Sequence, residues 1–242
     1  MVDDPVVLIK NRYEFILGRI SRLERHDPPI HLVVVTKSQP LALISAAYEA
    51  GIRCFGENYA DEAVHKIQAI PRAGVEWHMI GHVQSRKADL VAEHFSMLHS
   101  LDRIKIAQRL ELACEERDRI LPVLIEVNIS GEASKFGFAA WDRSLWENLR
   151  SELDAIIQMR HLQIRGLMTM PPYSDNPENA RSHFRNTRLL RDYLAVKYPE
   201  ADWSHLSMGT SADYEVALEE GATYIRIGEA IMGARVAERK IG

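Results

Sequence analysis

The sequence predicts an α/β fold, a single (β/α)8 TIM barrel with an extra N-terminal helix. Short apolar runs alternate with longer amphipathic runs from Leu32 nearly to the C-terminus, which is typical of parallel β/α units. Eight of the apolar runs can be placed as strands, and eight strands make a closed barrel. The chain of 242 residues has a usual length for such a barrel. We therefore expect one domain over residues 1–242.

The elements alternate along the chain after a leading helix near Pro5 to Arg25, which Asp27-Pro28-Pro29 closes. An open doubly wound sheet would usually carry a Gly-rich phosphate loop after its first strand, and Thr36-Lys37-Ser38-Gln39-Pro40 stands there instead. The apolar runs predict strands at residues 31–36, 52–55, 76–80, 97–100, 121–128, 162–168, 204–207 and 223–227. The amphipathic intervals predict helices at residues 41–50, 60–69, 85–92, 104–117, 145–159, 178–198 and 212–220, with a short one after 228.

Composition and charge exclude several classes of function. The formal net charge of −4 gives no basic surface of the kind that nucleic acid or an anionic membrane requires. The start, Met1 to Pro5, has neither a basic n-region nor an apolar h-region, and no apolar run approaches membrane-spanning length. We therefore expect a cytoplasmic monomer that binds neither nucleic acid nor a membrane.

The cysteines and histidines do not predict a metal site. Cys54 in a predicted strand and Cys114 in a predicted helix have no neighbouring cysteine or histidine at metal-ligand spacing, so both are interpreted as reduced core residues. His78 and His82 have the spacing of a helical zinc site, but they lie in a segment that predicts a strand. A strand does not hold the two rings together as a helix face does.

Lys37 is the most informative single residue. It closes the apolar run His31–Thr36, and burial of a lysine disfavours its charged form and leaves more of the neutral nucleophile. That is the chemistry of a Schiff-base lysine. The alternative is a lysine that extends into solvent where the strand ends, and the rest of the chain has to decide between the two.

Polar residues follow the ends of nearly all the predicted strands, where barrel enzymes have their active sites. After the seventh and eighth strands, the breaks Ser207-Met208-Gly209 and Gly228-Glu229 offer a hydroxyl and backbone amides, and the short helix after Gly228 would direct its N–H groups at an anion. Barrels often bind a phosphate with these two loops. The sequence therefore predicts an amine and a phosphate cradle at one barrel mouth. The polar strand ends are Lys37, Asn58, His82, Ser100, Asn128, Thr169, Ser207 and Arg226.

Arg226 narrows the choice of ligand. The alternation within Thr223–Gly228 can direct its guanidinium, which only donates hydrogen bonds, into the barrel mouth. Facing a pyridine nitrogen it would leave the ring unprotonated, whereas an aspartate would hold a proton on the ring and make it a strong electron sink. Lysine, phosphate cradle and arginine together suit pyridoxal 5'-phosphate (PLP) held as a weak electron sink. The alternative for Arg226 is an ion pair at the surface.

Seven segments resemble the pyridoxal phosphate homeostasis proteins, a family that looks like the barrel domain of alanine racemase standing alone. The resemblance spans nearly the whole chain. The segments are VVTKSQP at 34–40, FGENY at 55–59, WHMIGHVQSRK at 77–87, VNISGEASK at 127–135, GLMTM at 166–170, LSMGTS at 206–211 and RIGEAIMG at 226–233.

The resemblance assigns roles to seven residues. It implies that Lys37 carries the cofactor as a Schiff base and that Arg226 faces the ring nitrogen. The residues implied to hold the phosphate are Ser207, Gly228 and Glu229. The residues implied to line the cofactor are Asn58 and Met208. The family often has Thr or Ser where this chain has Glu229, so the backbone N–H is expected to contact the phosphate while the carboxylate points away.

Family members are regarded as carriers or buffers that keep PLP and amino-acid or keto-acid pools in balance, without an established turnover. We therefore expect a PLP carrier in vitamin B6 and amino-acid homeostasis, with apo PLP enzymes as possible partners, rather than an enzyme. An alternative is a PLP-dependent amino-acid racemase. Alanine racemase takes its second acid/base from an additional β-rich domain and a partner subunit, and we expect no room for that domain here. Tyr59 and His82 remain candidate bases.

A Schiff-base aldolase acting on a sugar phosphate without a cofactor is the third interpretation. An aldolase usually needs a second lysine or acid beside the first. The other lysines near predicted strand ends are Lys87 and Lys135, which lie in loop or helix contexts where a solvated charge is the expected arrangement.

Overall fold

The computed structural model describes residues 4–22, 29–70 and 73–234. Within these ranges eight parallel strands form a closed ring in the order β1-β2-β3-β4-β5-β7-β8-β9, and β9 pairs with β1. A two-residue strand, β6, extends the end of β5 outside this ring. The strands are β1 (His31–Val35), β2 (Cys54–Glu57), β3 (Glu76–Met79), β4 (Met97–Leu101), β5 (Leu121–Asn128), β6 (Phe138–Ala139), β7 (Leu162–Met168), β8 (His205–Ser207) and β9 (Tyr224–Ile227).

Helices follow the strands and cover the outside of the ring. The first helix begins at Pro5, with the Asp4 side chain accepting a hydrogen bond from the Val6 N–H at 2.9 Å, which is a stabilising N-cap. No helix in the described ranges is long and apolar enough to cross a membrane. The helices are α1 (Pro5–Ile20), α2 (Leu41–Glu49), α3 (Ala60–Ala69), α4 (Ala88–His94), α5 (Ile104–Glu115), α6 (Trp146–Ile157), α7 (Arg181–Lys197), α8 (Tyr214–Glu219) and α9 (Glu229–Met232).

The predicted barrel with its extra N-terminal helix is confirmed, and the largest error in a strand concerns β2. The predicted strand at 52–55 lies instead at Cys54–Glu57. Gly56 continues the strand because its missing side chain makes room for the barrel interior. A Cβ at that position would lie 2.7 Å from Val33 Cγ1. The shift places Glu57 in the sheet as a fully buried carboxyl.

Helix boundaries also differ from the prediction. Three helices begin with a 3-10 turn, at Ser85–Lys87, Arg143–Leu145 and Pro177–Ala180. In the latter two, an Asp or Asn side chain accepts a hydrogen bond from the N–H two residues on, which tightens the entry into the helix. The leading helix ends at Ile20, and residues 23–28, including the predicted end, lie outside the described residues.

The core has two parts. The large cluster lies between the strands and the helices, and a small one, made of Val33, Met97, Leu124, Met168 and Tyr224, lies inside the barrel. The interior is also polar, because the Tyr224 ring contacts four histidine rings at centroid distances of 4.6 to 5.8 Å. Branched aliphatic residues usually dominate this position in barrels. The histidines are His31, His78, His99 and His205.

Candidate functional site

A cavity of about 1000 Å³ opens at the carboxyl ends of the barrel strands, where barrel enzymes have their active sites. Five of the seven residues predicted for the site line it, and two do not. The two predicted candidate bases, Tyr59 and His82, also line it. The five lining residues are Lys37, Asn58, Arg226, Gly228 and Glu229.

Lys37 is held by contacts made through its two neighbours in the chain. On one side, the Thr36 hydroxyl donates to Glu57 Oε1 at 2.6 Å, and Lys66 Nζ donates to the Thr36 carbonyl at 2.7 Å. On the other side, the Ser38 N–H donates to Glu62 Oε1 at 2.7 Å, and Ser38 has a φ of 56°, in the left-handed region. The backbone that carries Lys37 is therefore fixed before any ligand arrives.

The ion pair between Lys66 and Glu57 is the centre of these contacts. Lys66 Nζ lies 2.7 Å from Glu57 Oε1, and both side chains are buried. Burial raises the pKa of Glu57, and the ammonium of Lys66 opposes that rise. The sequence interpretation missed both residues. The available signal was a carboxylate in the apolar run before α3.

Arg226 is buried and faces the cavity, so the interpretation of a surface ion pair is wrong. Its Nη1 donates to Ser207 Oγ at 2.5 Å, and its Nη2 donates to the Thr169 carbonyl at 3.0 Å and approaches Met170 Sδ at 2.8 Å. Burial lowers the pKa of Arg226 to about 10, against the nearby carboxylates of Asp213 and Glu126. The guanidinium therefore stays charged at neutral pH, and Arg226 is a fixed cationic donor in the cavity wall.

Ser207 and Met208 lie behind the cavity wall, and both are fully buried. The Ser207 hydroxyl contacts Arg226 and, at 2.8 Å, His99 Nδ1, while the Met208 N–H donates to the Tyr224 carbonyl at 3.1 Å. The hydroxyl of Ser207 therefore holds Arg226 and does not reach the cavity.

The loop after β8 brings Thr210 and Ser211 to the cavity, and the sequence interpretation missed both. The N–H and the hydroxyl of Thr210 donate to Asp213 Oδ1 at 2.7 and 2.9 Å, so Ser211 is the one of the two whose hydroxyl is offered to a ligand. Gly209 has a φ of 93°, and a Cβ there would lie 2.6 Å from the Ala217 Cβ, so only glycine lets the loop pack on α8. Across the mouth, Gly228 precedes α9, whose first N–H groups have no partner within the helix. Both loops therefore present donors to the same opening.

The Asn58 side chain carries an unsatisfied acceptor. Its Oδ1 is buried and has no hydrogen-bond partner among the described residues. The Gly81 backbone packs so closely against Asn58 that a Cβ on Gly81 would lie 2.5 Å from the Asn58 carbonyl oxygen. An unpaired buried acceptor is costly, so a ligand donor at this position would be stabilising.

Three acid/base groups lie at the cavity: Glu126 and His82 line it, and Asp102 lies beside His82. Burial raises the pKa of Glu126 to about 7, with a further increase from Asp102, against Arg226 and Lys135. His82 Nδ1 lies 2.6 Å from Asp102 Oδ2, and the His82 ring stacks on Phe136 at 3.9 Å. The sequence interpretation missed Glu126, although a single charge inside an apolar strand was a visible signal.

The remaining candidates from the sequence take different positions. His78 contacts Cys54 and His99 inside the barrel, so it does not face His82. Lys135 lines the cavity, with its Nζ 3.4 Å from the Pro171 carbonyl, whereas Lys87 pairs with Asp61 outside it. Tyr59 is exposed at the rim.

The comparison with protein families matches residues 16–236 to the alanine racemase N-terminal domain. A protein of Vibrio alginolyticus named pyridoxal phosphate homeostasis protein is 43% identical over 235 residues, which cover 94% of this chain and 97% of that relative. Proteins with the same name from Aquifex aeolicus and Escherichia coli K12 are 38% and 39% identical and cover 93% and 91% of this chain.

Solved structures with the same fold include two kinds of protein. PipY of Synechococcus elongatus PCC7942 with PLP bound has a TM-score of 0.80 and 34% identity, and the alignment covers 93% of this chain and all of PipY. An alanine racemase of Clostridium difficile 630 has a TM-score of 0.71 at 13% identity, covering 91% of this chain and 56% of the racemase. At that identity the racemase shares the fold alone.

Proposed function

Because the chain belongs to the pyridoxal phosphate homeostasis protein family, we propose that it binds PLP at the barrel mouth and carries or buffers this cofactor. The single observation that carries the proposal is that Lys37 and Arg226 line one cavity of about 1000 Å³, large enough for a small cofactor. Bound PLP supplies an aldehyde for an amine and a pyridine ring that withdraws electrons. The role served is vitamin B6 and amino-acid homeostasis.

The donors around the cavity fit the parts of PLP. Lys37 offers the amine for the aldehyde, and Arg226 offers a charged N–H donor for the ring nitrogen. The phosphate would bind the Ser211 hydroxyl in the loop after β8 and the N–H groups at the start of α9, including those of Gly228 and Glu229. The buried Oδ1 of Asn58 supports the fit, because it needs a donor that the described protein residues do not provide, and the 3-hydroxyl of PLP is such a donor.

Ser207 and Met208 take revised roles in this proposal. Since the Ser207 hydroxyl contacts Arg226, it would act on PLP by holding the guanidinium rather than by binding the phosphate. Met208 would support the wall of the cavity from behind. The hydroxyl proposed to bind the phosphate in place of Ser207 is that of Ser211.

Arg226 supports a carrier over an efficient enzyme. A guanidinium only donates hydrogen bonds, so the ring nitrogen facing it would accept one and remain unprotonated, which leaves the ring a weak electron sink. Tight binding that is equal for ground state and transition state does not accelerate a reaction. We propose that the protein exchanges PLP with apo PLP enzymes and has little turnover of its own.

An amino-acid racemase is the second candidate, and one observation favours it. Glu126, with a pKa of about 7, and the His82–Asp102 pair are acid/base groups in the same cavity as Lys37. A group with such a pKa can take up and release a proton near neutral pH.

The experiment that separates the two uses the PLP-loaded protein. It is mixed with an apo PLP enzyme, whose recovered activity measures transfer, and separately with single L-amino acids in deuterated water. We expect transfer of PLP to the apo enzyme without sustained α-proton exchange. Lys37→Ala, which cannot form the covalent link to PLP, is the control. Exchange at about 1 per second or faster would favour the racemase, and a protein that binds no PLP would overturn both candidates and leave the Schiff-base aldolase.

A further inference from the structure

A hydrogen-bonded chain of side chains runs through the barrel interior behind Arg226. Ser207 Oγ accepts from Arg226 and lies 2.8 Å from His99 Nδ1. The other ring nitrogen of His99, Nε2, lies 3.0 Å from His78 Nδ1. The Nε2 of His78 lies 3.5 Å from Glu76 Oε2. Glu76 is the first residue of β3, so the chain joins the ligand end of the barrel to its opposite end.

The members of the chain are buried except for the last. His99 and Ser207 are fully buried and His78 is 2% exposed, whereas the Glu76 side chain is 64% exposed. Buried polar groups of this kind are costly unless every donor and acceptor is paired. Because Glu76 is the exposed member, solvent can protonate or screen the chain of hydrogen bonds there, at the end of the barrel opposite the cavity.

The direction of the hydrogen bonds depends on the proton count of His78. Burial and the neighbouring His78 lower the pKa of His99 well below its ordinary range, so His99 is neutral and has one donor and one acceptor nitrogen. If His78 is neutral, each group donates toward Glu76, starting from Arg226. If His78 carries two protons, its Nδ1–H donates to His99, and His99 then donates to Ser207.

This reversal reaches Arg226. With His78 charged, the Ser207 oxygen accepts from both His99 and Arg226, whereas with His78 neutral it accepts from Arg226 alone and donates to His99. A shared acceptor binds each donor less strongly. The hold on the Arg226 guanidinium therefore differs between the two proton states of His78.

Charged and titratable groups face His78 from five strands. Glu76 lies on its own strand, Cys54 Sγ on β2 is 3.8 Å from its Nε2, and His99 on β4 binds its Nδ1. Tyr224 on β9 contacts the ring at 5.8 Å. The fifth group, on β1, is His31, whose own pKa is influenced by His78. Burial lowers the pKa of His78, but Cys54 and Glu76 outweigh it and raise the value to about 9.

We propose that Ser207, His99 and His78 are positioning residues for Arg226, and that they transmit the proton state of His78 to the guanidinium that faces the ligand. These three positioning residues lie outside the cavity. The consequence for bound PLP rests on the proposed function, whereas the chain and its effect on Arg226 do not.

The first test uses the full-length protein without ligand, labelled with ¹⁵N. Ring nitrogen shifts give the tautomer and the titration of each histidine, and the guanidinium signals of Arg226 report on its contacts. We expect His99 to stay neutral, and the Arg226 signals to change with the midpoint of His78. Glu76→Gln removes a carboxylate 3.5 Å from His78, so both midpoints should fall together by about one pH unit. Glu152→Gln, an exposed carboxylate on α6, is the matched control and should change neither.

Three outcomes would overturn the proposal: a charged His99 at neutral pH, a His78 midpoint insensitive to Glu76→Gln, or Arg226 signals that do not follow His78. Ser207→Ala removes the link next to Arg226, so the guanidinium should stop following His78 while His78 still titrates. A purely structural role for these residues would not produce that separation.

The second test loads the protein with PLP and follows its visible spectrum against pH. We expect its midpoint to fall with Glu76→Gln by the same amount as that of His78. An unchanged midpoint would overturn the extension to the bound cofactor. A failure of PLP to bind at all would overturn the proposed function, and the nitrogen spectra of the free protein would still decide the chain.

Discussion

Glu126 offers a prediction in which a change in the cavity wall stabilises the protein at one pH and not at another. Its carboxyl is 7% exposed at the end of β5, and its pKa is raised from 4.5 to about 7. The substitution Glu126→Gln keeps the size of the side chain and removes its ability to ionise. Its effect on stability should therefore depend on whether the wild-type carboxyl is ionised.

The sign and the size follow from the two pKa values. Because the native value lies above the unfolded one, the folded protein binds the proton more tightly between pH 4.5 and about 7, and stability from this group falls as the pH rises through that window. A difference of about 2.5 pH units corresponds to about 3 kcal/mol, at 1.36 kcal/mol per unit. Above that window the wild type bears the whole cost, and Glu126→Gln does not.

The assay is urea unfolding of the ligand-free wild type and variant at about pH 4.5 and about pH 8. We expect the variant to gain about 3 kcal/mol relative to the wild type between the two conditions. Comparing the same pair at both pH values cancels the cost of the amide itself. Glu152→Gln, exposed on α6, should show no such change. An equal difference between wild type and Glu126→Gln at both pH values would show that ionisation of the buried Glu126 carboxyl does not lower the stability.

Three further predictions concern the ion pair between Lys66 and Glu57, the contact between Arg226 and Ser207, and Glu229. Lys66→Met leaves Glu57 buried and unpaired, so urea unfolding should show a loss of about 3–5 kcal/mol, largely recovered when Glu57→Gln is added; no recovery would mean that charge is not the cause. Arg226→Gln should alter the visible spectrum of the PLP-loaded protein, and Ser207→Ala, which removes a hydroxyl that holds Arg226, should weaken PLP binding by only about 1 kcal/mol; a larger loss of affinity in Ser207→Ala than in Arg226→Gln would contradict this order. Glu229→Ala should leave PLP affinity within about twofold, measured by titration, because only its N–H is used; a larger loss would implicate the carboxylate.

The barrel could be predicted because its signals are local in the sequence. Apolar runs and turn residues fix the existence of each strand, and all eight barrel strands form. The boundary of β2 could not be read locally, because it depends on a contact with another strand. A Cβ at position 56 would lie 2.7 Å from Val33 Cγ1, so the strand can continue there only with a glycine. The tight entries of three helices depend likewise on side chains, such as that of Asp142, that bind neighbouring N–H groups.

The site was predictable in its location more than in its contacts. The strand ends and the glycine breaks in the sequence predict that Lys37 and Arg226 lie at one barrel mouth, and both residues line the same cavity. The inward direction of Ser207 depends on His99, 108 residues away in the chain, and no local pattern carries that information. The burial of Lys66 on α3 follows from its packing against Glu57 and the Thr36 carbonyl, so in the sequence its charge looked like a solvated one.

One measurement decides directly whether Lys37 is the residue that binds PLP covalently. The PLP-loaded protein is reduced with borohydride, digested and mapped by mass spectrometry. We expect the reduced cofactor on the peptide that contains Lys37. In Lys37→Ala the reduced cofactor and the visible absorption should both be lost while the fold is retained. Reduced cofactor on Lys135 or another lysine, or on none, would show that Lys37 is not the residue that binds PLP covalently.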